Sequence, residues 1–162
     1  MIRRSNYRAT LVQALGELIP QAQLATDLVD QAAAARLKVN RTDLRCLGTL
    51  VQHGATSAGK LAERVGLTRG AMTTALDRLE RAGWVRRVDH PTDGRGVSVE
   101  PTAMAKRVVR QIWEPIGKEG MRILDRYSDA ELELIRRFFE EYCALQHAHG
   151  ERIRQLATKS RR

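Results

Sequence analysis

Ser57-Ala58-Gly59-Lys60-Leu61-Ala62-Glu63-Arg64-Val65-Gly66-Leu67-Thr68-Arg69-Gly70-Ala71-Met72-Thr73-Thr74-Ala75-Leu76-Asp77-Arg78-Leu79-Glu80-Arg81-Ala82-Gly83 is the stretch on which the fold turns. Ser57 carries the short side-chain acceptor of an N-cap, Leu61, Ala62 and Val65 return at helical spacing, and Gly66 supplies a stop. Thr68 then caps a longer helix whose Met72, Ala75, Leu76 and Leu79 fall at i, i+3, i+4 and i+7, and Gly83 ends it. Two short helices joined by Gly66-Leu67-Thr68 predict a helix-turn-helix.

Beyond Gly83 the period changes from helical to alternating. Residues 84–89 and 96–100 read as strands, with Val97 and Val99 facing one way and Ser98 and Glu100 the other. The breakers His90-Pro91-Thr92-Asp93-Gly94-Arg95 between them read as a turn. A hairpin directly after the second helix of a helix-turn-helix is a wing.

Upstream, Leu11, Val12, Leu15, Leu18 and Ile19 keep helical spacing to Pro20, where the helix is expected to kink or restart. The stripe resumes with Leu24, Leu28, Val29, Ala32 and Ala33 towards Leu37. Asn40-Arg41-Thr42-Asp43 reads as an N-cap followed by an acid in the first turn, opening a helix that buries Leu44, Leu47, Leu50 and Val51 and closes at Gly54. Downstream, Thr102 caps a helix running towards Tyr127, with a kink expected from Pro115, Gly117 and Gly120. Ser128-Asp129-Ala130-Glu131 is a capping box, and the helix it starts carries Leu132, Ile135, Phe138, Phe139, Tyr142 and Leu145. That stripe is wider than one small lobe can cover, so a second copy of the chain is the expected partner. The predicted fold class is mainly α, a winged helix-turn-helix with long N- and C-terminal dimerisation helices. Residues 1–39 form the N-terminal dimerisation region, 40–101 the DNA-binding lobe and 102–162 the C-terminal dimerisation helices, in one continuous structural unit.

The 162 residues amount to about one domain by length. With 4% aromatic residues, the core must be built from Leu, Val, Ile and Ala. No apolar run reaches the roughly 18 residues of a membrane helix, and the basic N-terminus lacks the apolar stretch of a secretory signal, so a cytoplasmic protein is expected. Cys46 and Cys143 form neither a CxxC pair nor a disulfide framework. They read as small buried side chains, a redox switch being the alternative. The net charge of +9 suggests a polyanionic partner, yet the excess within residues 57–100 is slight, so position must matter more than quantity.

The chemistry is carried by the helix from Thr68. With its apolar residues turned inward, Gly70, Thr73, Thr74 and Asp77 fall on the opposite face, flanked by Arg69, Ala71 and Arg78. In a helix-turn-helix this face enters the major groove. Arg69 has the reach for guanine O6 and N7, while the threonines offer a hydroxyl or a methyl, and Gly70 and Ala71 allow close approach. A generic solvated face, the competing reading, would carry more Glu and Lys. Arg95 at the hairpin tip suits the narrow minor groove, and Asp93 suits holding the shape of the wing. Of Arg86 and Arg87 on the first wing strand, alternation turns only one towards DNA. Ser57 completes the DNA-binding set.

Over nearly its whole length the chain resembles the MarR family of multiple-antibiotic-resistance regulators. The resemblance rests on Leu61-Ala62-Glu63-Arg64-Val65-Gly66-Leu67-Thr68, on Leu76-Asp77-Arg78-Leu79-Glu80-Arg81-Ala82-Gly83-Trp84-Val85-Arg86-Arg87, and on Asp89-His90-Pro91-Thr92-Asp93-Gly94-Arg95 through to Thr102. The first run is common to many winged helices; the Asp93-x-Arg95 wing with long helices at both ends is more specific. Pro101 stands where the family usually has Leu, and Ala105 where it often has Gly. The resemblance implies a DNA-binding homodimer with an effector pocket, often for aromatic acids or phenols, between dimerisation helices and DNA-binding lobe. Trp113, Tyr7 and Arg45 are candidates to line one, against core packing or solvated surface for each. Two-fold symmetry implies an inverted-repeat site in double-stranded DNA.

Other classes find little support. No GxSxG, P-loop or HExxH is present, so an enzyme is not expected. His147 and His149, at i and i+2 of a helix, point apart and do not make a metal site, and no cofactor is expected. The reading is therefore a sequence-specific transcription regulator, a repressor released by a small effector. The alternative is a winged helix used as an architectural or protein-interaction module without effector control.

Overall fold

The computed structural model describes residues 2–89 and 97–159, with side chains from residue 6 to residue 156. Its elements run α1 (Ile2–Leu37), α2 (Arg41–His53), β1 (Thr56–Ser57), α3 (Ala58–Val65), α4 (Arg69–Arg81), β2 (Val85–Asp89), β3 (Val97–Pro101), α5 (Ala103–Leu124) and α6 (Asp129–Lys159). The chain divides into two compact units, Met1–Ile112 and Trp113–Arg162.

The first unit is built on local signals. Asn40 Oδ1 accepts from the Asp43 amide at 2.8 Å to start α2, and Gly54 closes it at φ 80°. Ser57 and Thr68 cap α3 and α4, and Gly66 between them takes the left-handed conformation, φ 69° and ψ 39°. These caps bring α2, α3 and α4 together over Leu47, Leu50, Leu61, Met72 and Leu79, all fully buried. The helix-turn-helix is present as expected, and the hairpin that follows agrees with its expected limits to within a residue.

The sheet is larger than a two-stranded wing. Its order is β1-β3-β2, all antiparallel, with Thr56 opposite Val99 and Ser57 opposite Ser98 on one side, and Arg87 opposite Val99 and Val88 opposite Ser98 on the other. A two-residue strand is too short to announce itself by alternation. Its addition makes β3 the central strand, which corrects the expected alternation: Ser98 is buried with Val99, and Val97 is exposed. Flanked by strands on both edges, the small Ser98 is covered although it points away from Val99. Pro101 is buried as the last residue of β3, a position where a strand tolerates a missing N–H. Thr102 there donates its amide to Trp84 O and its hydroxyl to Gly83 O, and accepts from the Ala105 amide to begin α5.

Pro20 does not end or restart the helix: α1 runs through it as a single element. The carbonyl that Pro20 leaves without a donor belongs to Gly16, four residues earlier, and both residues are exposed, so water can satisfy it. Likewise α5 passes through Pro115, Gly117 and Gly120 unbroken. Among the described side chains of α1, only Ala33, Ala34 and Leu37 are buried, where the helix packs on α2; Tyr7, Leu11, Leu15, Leu18, Leu24 and Leu28 stay exposed.

In the second unit the capping box forms as read. Ser128 Oγ accepts from the Glu131 amide, and Glu131 Oε2 accepts from the Ser128 amide at 2.8 Å and from its hydroxyl at 2.6 Å. Along α6, Leu132, Ile135 and Tyr142 are half-buried, while Leu134, Phe138, Phe139, Leu145, Ile153 and Leu156 are exposed. Cys46 is buried as expected, but Cys143 is exposed, because it lies on a helix whose apolar surface the single chain leaves uncovered. No helix among the described residues is long and apolar enough to cross a membrane.

Candidate nucleic-acid interface

The exposed face of α4 is set by what the opposite face must bury. Met72, Ala75, Leu76 and Leu79 go into the core, which leaves Arg69, Gly70, Ala71, Thr73 and Thr74 open to solvent. Thr68 Oγ1 accepts from the Ala71 amide at 3.3 Å, and the first turn of α4 holds no acid, so the positive end of the helix dipole meets no carboxylate there. The Thr73 and Thr74 hydroxyls each donate to the carbonyl four residues back, Arg69 O and Gly70 O, at 3.0 Å. With that proton committed, each oxygen offers lone pairs, which suits a base amino group better than a phosphate. Arg69 makes no side-chain hydrogen bond or ion pair with another described residue. Lys60 and Arg64 of α3 are exposed in the same way, and Ser57 Oγ is engaged in capping Lys60 N at 3.4 Å.

The flanks of α4 are held by two arginine–carboxylate clamps. On one flank Arg78 forks onto Asp43 of α2, Nε to Oδ2 at 2.9 Å and Nη2 to Oδ1 at 2.6 Å. Asp43 Oδ2 also accepts from Asn40 Nδ2 at 3.1 Å, and the Asp43 side chain is only 4% exposed. Hydrogen bonding to this carboxylate raises the Arg78 pKa above its ordinary value. On the other flank Arg87 of β2 reaches back to α4, donating Nη2 to Asp77 Oδ1 at 2.6 Å and Nη1 to Glu80 Oε2. The Arg87 amide also donates to Glu80 Oε1 at 3.2 Å. Arg86 pairs across the hairpin with Glu100, Nε to Oε1 at 2.6 Å.

Arg78, Arg86 and Arg87, expected among the DNA-binding residues, each meet a protein carboxylate. Local pattern does not reveal those carboxylates as partners. Asp43 looked like an ordinary first-turn acid, and nothing local announces a partner 35 residues away. Asp77, assigned to the reading face, is half-buried against Arg87. Arg86 and Arg87 are both exposed and, as neighbours on a strand, point to opposite faces, Arg87 towards α4 and Arg86 towards Glu100. A surface groove of about 550 Å³ runs along the Arg78 flank, lined by Asn40, Arg41, Thr42, Leu67, Ala71, Thr74 and Arg78. Arg41 at its rim is paired with Asp27 of α1.

Asp93 and Arg95, the wing-tip candidates, lie outside the described residues. Of the residues weighed for an effector pocket, Tyr7 and Arg45 are exposed and Trp113 is half-buried. Burial, followed by the charge of Asp43, pushes the Cys46 thiol up to about 11, which keeps it protonated. Among the described residues no group of three His, Cys, Asp or Glu side chains is placed to hold a metal ion.

Comparison with known proteins adds the wider context. The sequence profile of the MarR family matches residues 39–97. Over 150 residues the chain is 33% identical to the uncharacterized HTH-type transcriptional regulator YcgE of Bacillus subtilis, which spans 93% of this chain and 97% of that one. The structure of this chain is similar to that of RV1404 from Mycobacterium tuberculosis, with a TM-score of 0.60 at 26% identity over 77% of this chain and 88% of that one. NadR in complex with 4-hydroxyphenylacetate gives a TM-score of 0.60 at 23% identity, covering 76% and 87%, a likeness of fold alone.

Proposed function

This chain belongs to the MarR family of DNA-binding, winged-helix transcription regulators, and on that premise we propose that it is a homodimeric repressor reading an inverted repeat in double-stranded DNA. The observation that carries this reading is the exposed face of α4. A row of small residues, Gly70, Ala71, Thr73 and Thr74, lies beside an arginine, Arg69, that no described side chain engages. Small residues let the helix backbone approach base edges, and a free guanidinium can fork onto guanine. Ser57 at the start of α3 and Arg95 of the wing complete the proposed contacts, with Asp93 holding the shape of the wing. Arg86 and Arg87 serve by fixing the wing strand, Arg87 by way of α4.

Dimerisation is supported by the apolar residues that α1 and α6 leave exposed, including Leu11, Leu15, Leu18, Phe138, Phe139 and Leu145. A protein of this size does not keep so many such side chains in water without a partner to cover them. The proposed site of action is the cytoplasm. Release by a small aromatic acid extends the reading, with the NadR complex as its precedent.

Selection of bound sequences from a random duplex pool tests the proposal. Two copies of α4 related by a two-fold axis should recover an inverted repeat with half-sites about 10 base pairs apart. A lone asymmetric motif would refute the dimeric reader. Binding that follows only salt and duplex length would favour an architectural module. Addition of 4-hydroxyphenylacetate or related phenolic acids to the complex should raise the dissociation constant if effector control operates through such compounds.

A further inference from the structure

We propose that Asp43 is a positioning residue for major-groove reading: through Arg78 it fixes the pose of α4, and Arg78 itself makes no contact with DNA. This rests on the reading of α4 as the recognition helix. By position alone Arg78 is an obvious DNA contact, since it follows Ala71 and Thr74 along one flank of that helix and borders the groove that opens beside it.

The geometry assigns it elsewhere. Two nitrogens of one guanidinium meet both oxygens of one carboxylate, the most directional pairing available to a side chain. Asp43 is almost wholly buried and accepts a third bond from Asn40 Nδ2, while Asn40 Oδ1 takes the Asp43 amide. Asn40 and Asp43 thus bond each other twice, and Arg78 joins them through both oxygens of Asp43. Moving Arg78 out to a phosphate would leave a buried carboxylate with the Asn40 amide as its remaining side-chain donor, exchanging a desolvated partner for a solvated one.

The pair also supplies what the core cannot. Met72, Ala75, Leu76 and Leu79 bury α4 by non-directional contact, and Ala75 is a small point of attachment, so apolar packing holds the helix down more firmly than it fixes its roll. A fork from the third turn of α4 to the first turn of α2 fixes roll and axial position together. The clamp on the other flank is softer. Arg78 and Arg87 are equally open, 39% and 40% exposed, but Asp43 is 4% exposed where Asp77 and Glu80 are 46% and 35%, so water competes for the carboxylates of the second clamp and not for that of the first. The Asp43 clamp therefore sets where Arg69, Thr73 and Thr74 point, whereas the Arg87 clamp ties the wing strand to a helix already placed.

The test uses the full chain, the selected inverted repeat and a scrambled duplex of equal length, titrated by fluorescence anisotropy across a range of salt. Asp43→Asn and Arg78→Lys should each weaken binding to the repeat by about tenfold, with the scrambled duplex bound as before. The double variant should be no worse than either single one. The salt slope should stay that of the wild type, because no phosphate contact has been removed. Simple electrostatics predicts the opposite sign for Asp43→Asn, which removes a negative charge and frees an arginine beside the DNA-binding face. Tighter binding by Asp43→Asn would overturn the proposal.

Asp43→Leu combined with Arg78→Met removes both charges at once, and such apolar replacement of a buried pair commonly keeps the fold. It should restore thermal stability without restoring discrimination between repeat and scramble. A variant that is stable and fully selective would reduce the pair to a structural role and overturn the proposal. So would a salt slope lowered by about one ion per half-site in the variants lacking Arg78. That slope can be read on any duplex. If the wild type selects no sequence, the reading of α4 fails, and the slope still decides whether Arg78 touches DNA.

Discussion

Replacing Gly70 with alanine should move protein stability and DNA affinity in opposite directions. Gly70 lies in the first turn of α4 with ordinary right-handed backbone, unlike Gly54, Gly66 and Gly83, and a Cβ built there meets nothing within 4 Å. The folded chain therefore accepts the methyl without strain. The unfolded chain loses the extra freedom of glycine, and the net gain is about 0.5–1 kcal/mol, nearer the lower figure for a first-turn position. For a chain of this length that amounts to a rise in Tm of roughly 1–4 °C. On DNA the same methyl projects from the face that carries Arg69, Thr73 and Thr74, where the backbone must come close for Arg69 to fork onto a base. Losing one bidentate base contact costs about 1–3 kcal/mol, so affinity for the selected repeat should fall by about tenfold or more while binding to a scrambled duplex barely changes. Thermal melts followed by circular dichroism give the first quantity, and anisotropy titrations at fixed salt give the second. A variant that melts higher and binds the repeat as tightly as the wild type would remove Gly70 from the interface. One that melts lower would refute the backbone argument.

Gly66→Ala has open space for its methyl but must hold φ at 69°, so chemical denaturation should show a loss of about 1 kcal/mol, with Gly66→Asn losing less. Cys46, buried and with its pKa raised from 9.0 to about 11, should carry about a hundredfold less thiolate at pH 8 than an ordinary cysteine. Its alkylation by iodoacetamide in the native protein, followed by mass spectrometry, should be at least that much slower than in urea. Equal rates would reopen a redox role. Arg95→Ala should lower the salt slope by about one charge per wing. Asp93→Ala should weaken binding as well, although it removes a negative charge; tighter binding would mean that Asp93 does not hold the wing.

How much of this protein was legible beforehand depended on the sequence distance over which each interaction acts. The caps at Asn40, Ser57, Thr68, Thr102 and Ser128, the left-handed Gly66 and the apolar periods of α2, α3 and α4 are bargains struck within four or five residues. A single sequence displays both partners of each, so the helix-turn-helix, its hairpin and which face of α4 stays exposed are legible with their limits nearly right. Tertiary structure decided what joins distant segments. Asp43 and Arg78 are 35 residues apart, and Arg87 stands 10 and 7 residues from Asp77 and Glu80. Read one at a time, these are a dipole acid, a flanking base and a strand arginine, each plausibly solvated. Once the fold makes them neighbours, three arginines of the expected DNA surface become internal ties, and Arg69 remains free. The same holds for β1 and Ser98: two residues have no period, and burial in the middle of a sheet depends on what lies along both edges. A charge counted along the chain says how much attraction is available, and only its neighbours in space say whether it is still free to meet DNA.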